Sequence, residues 1–116
     1  MPMILVPLLL TLALNPAPLA GPAPGTSSAK SAWESCLQTV AQVESLGTKS
    51  EAAIAVNALA ACSADRDRYI KSLIRDANAK PQNGQTAVGQ AQRQVATDQR
   101  DLTIRLIAFI RRARRA

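Results

Sequence analysis

The stretch "LGTKSE", residues 46–51, decides the fold. Gly47 is placed to end a helix in the C′ position. Thr48 and Glu51 then make the S/T-x-x-E pattern of a capping box, which starts the next helix. A stop and a start this close form a tight corner, and a tight corner makes its two helices antiparallel neighbours.

Upstream lies "SAWESCLQTV", residues 31–40. Ser31 and Glu34 form another capping box. Trp33, Leu37, Val40 and Val43 recur at helical spacing, with Cys36 beside them. The pattern predicts a helix over about 32–46, with 26–30 as a linker into it. Downstream, a longer helix is predicted over about 49–78. Ala55, Leu59, Cys62, Tyr69 and Leu73 share one face, flanked by Ile70 and Ile74, and Arg66 interrupts the stripe. Asp65, Arg66, Asp67 and Arg68 read as a solvated patch with ion pairs of small value. "KPQNG" (80–84) ends this helix, because proline cannot continue it and Asn-Gly favours a turn. A third helix fits about 86–114. Val88, Ala91, Val95, Leu102, Leu106, Phe109 and Ala113 form its stripe, with Gln99 filling the gap. The expected fold is all-α, an up–down–up three-helix bundle over residues 31–116.

The corner also relates the chain's two cysteines. Cys36 lies about 11 residues before it and Cys62 about 14 after it, so on antiparallel helices they differ in height by ~4–5 Å. Both face the partner helix, and a disulfide is the expected state; two buried free thiols are the alternative. A redox-active pair would usually be Cys-x-x-Cys. A zinc site needs three or four ligands, and there is no third cysteine and no histidine. The lack of histidine also removes the commonest general base and the usual nucleophile arrangements. No phosphate-binding loop or clear carboxylate constellation takes their place. The chain therefore reads as a non-enzyme, with no catalytic residue, cofactor or metal assigned.

Residues 1–29 carry no charged side chain, and six of the seven prolines fall in the first 24 residues. "MILVPLLLTLAL" (3–14) is too short and too broken by proline to span a membrane, but it suits a signal-peptide apolar region. Residues 1–25 are the expected signal peptide, cleaved after Ala20 or after Gly25. An uncleaved anchor or an unstructured tail are the other readings. Pro22 stands where a lipoprotein box needs its cysteine, so lipidation is not expected there. The destination is periplasmic or secreted, where disulfides persist.

The net charge of +6 is uneven along the chain. Residues 87–116 hold seven arginines against Asp98 and Asp101, and the remainder is near neutral. Leu102, Leu106, Phe109, Ile110 and Ala113 line one side of the last helix. Ile104 and Ile107 widen that arc. Arg105, Arg111, Arg112, Arg114 and Arg115 are the candidate anionic-surface residues. Two readings stay open: the apolar side covers Ile54, Val56 and Leu59 within the bundle, or the helix lies on an anionic membrane. Nucleic-acid binding is a third reading only if the leader is not an export signal. The partner is an unspecified protein or an anionic envelope surface, and the oligomeric state is open.

Residues 33–75, "WESCLQTV…SEAAIAVNALAACSADRDRYIKSL", resemble the small exported helical proteins of Gram-negative bacteria that carry one cysteine in each of two neighbouring helices. The matching elements are Cys36, the alanine-rich approach to Cys62 and the Arg/Tyr/Leu positions after it. The resemblance implies export, helices and a disulfide. It brings no activity and no site residues. On this reading the chain is an interaction or structural module of the cell envelope, with anionic-lipid binding by the last helix as the alternative.

Overall fold

The computed structural model describes residues 25–80 and 86–115. The expected signal peptide, its cleavage point after Ala20 and the turn at Pro81–Gly84 lie outside the described residues. Among those residues there are four helices and no strand: α1 Thr26–Glu44, α2 Glu51–Ala61, α3 Ser63–Ala79 and α4 Ala87–Arg115. The all-α expectation holds, but the expected three-helix count does not.

α1 begins earlier than the linker reading of 26–30 allowed. Gly25 is its N-cap, and Ala29 N–H donates to the Gly25 carbonyl at 3.0 Å. Tertiary contacts explain the extra turn. Ala29 is buried one helical step before Trp33, Leu37 and Ala41, and Thr26 Oγ1 donates to Asp76 of α3. Ser31 is therefore an exposed mid-helix residue rather than a cap, and Glu34 pairs with Arg105 at 3.4 Å instead of closing a capping box.

The corner forms where expected, with different residues in the roles. α1 stops at Glu44 and its C-cap is Ser45, whose Oγ donates to the Ala41 carbonyl at 2.6 Å. Gly47 does not adopt a left-handed φ; its N–H donates to Glu44 O at 3.0 Å as the turn winds on. Ser50, not Thr48, caps α2, accepting from Ala53 N–H at 3.1 Å.

The long middle helix is broken once, at Cys62, where φ is −101° and ψ is 22°. Hydrogen bonds continue on both sides, from Cys62 N–H to Ala58 O at 2.9 Å and from Arg66 N–H to Cys62 O at 3.1 Å. The break coincides with a change of composition. α2 is almost wholly apolar, whereas Ser63 and Asp65 are types that favour a helix start over its interior. Asp65 also places negative charge in the first turn of α3, where the helix dipole favours it. α4 is continuous, with Thr86 Oγ1 accepting from Gly89 N–H at 2.9 Å at its start.

Contacts at matched heights give the topology. α1 runs against α2 and α3, with Glu44 on Asn57, Cys36 on Cys62 and Thr26 on Asp76. α4 also runs against them, with Asp98 on Tyr69, Gln99 on Arg66 and Arg111 on Glu51. The layout is thus up–down–up, with its middle rod in two pieces. The core between the rods is Trp33, Leu37, Ile54, Tyr69, Val95, Leu102, Leu106 and Ile110, filled out by alanines and Cys62. Val43, Val56 and Val88, expected on apolar stripes or under cover, are 65%, 63% and 49% exposed. Ala41 takes the inward position that the α1 stripe assigned to Val43.

Candidate functional site

Cys36 and Cys62 stand at disulfide distance, Sγ–Sγ 2.03 Å and Cα–Cα 5.9 Å, within the span a disulfide bridges. Such a pair fits an oxidising compartment. Cys62 is buried at the α2–α3 junction and Cys36 is half-buried against the core. The pair lies in the same core as Trp33, whose ring centroid is 5.8 Å from that of Tyr69. The indole Nε1 of Trp33 is buried without an acceptor among the described residues.

A second polar feature was not singled out by sequence reasoning. Asp98 of α4 is only 5% exposed. It accepts from the Tyr69 hydroxyl, from Gln94 Nε2 at 3.1 Å and from Lys30 Nζ at 3.5 Å. Burial, reinforced by the hydrogen bond to Asp98 and its charge, pushes the Tyr69 phenol above its ordinary pKa. The signal was present in the sequence: Asp98 follows Val95 by three and precedes Leu102 by four, a stripe position assigned instead to Gln99. Gln99 sits one step round the helix and receives Arg66 Nε at 2.9 Å. The two interruptions of the apolar stripes, on α3 and α4, therefore satisfy each other.

The five candidate arginines divide into two sets. Arg105 pairs with Glu34 of α1 at 3.4 Å. Arg111 Nε donates to Glu51 at the start of α2 at 2.7 Å. Arg114 reaches the corner backbone, with Nε on Ser45 O at 3.2 Å and Nη2 on Gly47 O at 3.1 Å. Arg112 and Arg115 are exposed and have no partner among the described residues. Together with Arg114 they occupy the last turn of α4, where cations oppose the negative end of the helix dipole.

Most of the apolar side of α4 is already used, although Ile104, expected to widen it, is 63% exposed and Ala113 is exposed. Leu102, Leu106 and Ile110 are buried, and Ile107 and Phe109 pack against the core. Ile54 belongs to the same core and is fully buried. Lying flat on a membrane through this face would require the helix to leave the bundle. No described helix is long and apolar enough to cross a membrane. Among the described residues no group of three or more His, Cys, Asp or Glu side chains converges on a possible ion. A groove of about 460 Å³ between α3 and α4, bordered by Leu73, Asp76, Gln90 and Thr97, collects no pair of groups arranged as nucleophile and base.

Comparison with protein-family models, with curated proteins and with solved structures returned no match to this chain.

Proposed function

We propose that the protein is an exported, non-catalytic helical module of the cell envelope that engages an anionic partner with the arginine end of its bundle. The observation that carries this reading is the division of labour on α4. Leu102, Leu106 and Ile110 of its apolar side are spent on the core, while Arg112 and Arg115 remain exposed and unpaired among the described residues. The disulfide-distance cysteines support an oxidising destination, and the charge-free leader supports export. The periplasm meets both conditions.

The N-cap bears on the processing site. Cleavage after Ala20 would leave Gly25 and its carbonyl in place for Ala29 N–H. Cleavage after Gly25 would make Thr26 the amino terminus and remove that acceptor. The first site is therefore the expected one. Fractionation with intact-mass analysis tests the reading. The expected species is periplasmic, begins at Gly21 and is two hydrogens lighter than the dithiol. Full-length chain retained in the cytoplasm with both thiols free would overturn it.

A further inference from the structure

We infer that the α1–α2 corner is a lipid contact, with Leu46 entering the headgroup region of an anionic bilayer end-on while the surrounding arginines bind its phosphates. The inference rests on the reading that the basic end meets an anionic partner, and it assigns the partner's class.

Leu46 is 88% exposed, the most exposed large apolar side chain among the described residues. It sits at the tip of a turn that is held on both sides. Leu46 N–H donates to Val43 O at 3.2 Å and Gly47 N–H to Glu44 O at 3.0 Å. Arg114 takes the Ser45 and Gly47 carbonyls that flank it. The amides of Ser45, Leu46 and Gly47 and the carbonyls on either side of Leu46 thus enter a less polar medium already paired, where an unmet group would be costly. Val43, three residues earlier, is also exposed.

Charge complementarity selects the partner's sign. Lys49, Arg111, Arg112, Arg114 and Arg115 gather at this end against Glu44 and Glu51. Shape selects a fluid surface over a folded protein. A stable protein interface needs about 1,000 Å² or more of matched area. A convex helix corner with one protruding leucine offers little matched area, but it can sink into a deformable interface. Nucleic acid would use the arginines and leave Leu46 without a role. The end-on pose also keeps Leu102, Leu106 and Ile110 in the core, which the flat pose does not.

The test uses the oxidised chain lacking residues 1–20 and sedimentation with two vesicles, pure phosphatidylcholine and phosphatidylcholine containing phosphatidylglycerol. Binding is expected only to the second and should fall with salt. R112A/R115A should weaken it by about fivefold per arginine. L46A should weaken it by roughly tenfold, and L46D more. In L46W, emission from the introduced indole should shift to the blue on the anionic vesicles and stay unchanged on soluble polyglutamate. Thermal midpoints of the Leu46 variants should match the parent, because that side chain touches little of the core. Anionic-vesicle binding that ignores L46D, with no blue shift in L46W, would overturn the lipid contact while leaving an electrostatic partner at this end. Polyglutamate binding in preference to vesicles would assign an acidic protein instead. Loss of all anion binding would remove the underlying reading as well.

Discussion

The middle of the bundle and its corner end are held by different physics. In the middle, Trp33 lies against Tyr69, Cys36 meets Cys62, and Asp98 gathers Tyr69, Gln94 and Lys30. Most of these groups are buried, and salt screens buried interactions little. At the corner, Arg111 on Glu51 and Arg114 on two carbonyls are exposed, where an ion pair contributes about 0–1 kcal/mol. The contrast separates tasks. Side chains that add little to stability are free to serve a partner, and those in the middle are not.

The comparison can be broken first at Trp33. W33A should cost roughly 3–5 kcal/mol, read by urea unfolding. W33F should cost clearly less, because phenylalanine keeps much of the buried ring area and the N–H that both variants remove gives up no acceptor. Equal losses for the two would show that the core gains nothing from a smaller ring at this position.

Reduction comes next. The cysteines lie 26 residues apart in sequence, and the chain-entropy model gives about 3–4 kcal/mol for closing that loop. Unfolding with and without reductant should differ by that amount. A difference near zero would place the constraint in contacts that survive reduction.

Tyr69→Phe should cost about 1–3 kcal/mol by leaving Asp98 without its hydroxyl donor. It should also change the alkaline limb. The Tyr69 pKa is raised in the fold, so its contribution is complete below about pH 10, the value of an unfolded tyrosine. That contribution is lost as pH climbs from there toward the raised folded value. Wild type should lose stability across that range more steeply than Y69F in pH-resolved thermal melts. Parallel curves would remove Tyr69 from the alkaline transition.

The smallest effect belongs to the corner. R111A should lower stability by no more than about 1 kcal/mol, and high salt should erase the difference. A larger, salt-insensitive loss would mean that the arginine end belongs to the fold's foundations, and the contrast between the two regions would collapse.

How far the sequence could be read depended on whether the signal was local. Helix spacing, the corner within residues 46–51 and the pairing of two cysteines across it all follow from the near neighbourhood of each residue. So does the contrast between an apolar side and an arginine-rich end in α4. The lack of charge over residues 1–29 is read directly from the sequence. Of the candidate site, the sequence names the arginines but not their engagement. Arg105, Arg111 and Arg114 look equivalent to Arg112 and Arg115 until Glu34, Glu51 and the corner carbonyls are placed beside them.

By itself, the sequence determined that this protein is helical, that its chain reverses within residues 46–51, and that its positive charge collects at the C-terminal end. Tertiary structure decided the rest. It buried Asp98 instead of Gln99, because Tyr69 and Lys30 stand opposite. It extended α1 back to Thr26, where Asp76 and a place for Ala29 in the core were available. It left Leu46 and Val43 in the open. A 3.6-residue period reports which face of a helix a side chain shares, but burial depends on what lies across from that face, and that neighbour comes from far along the chain.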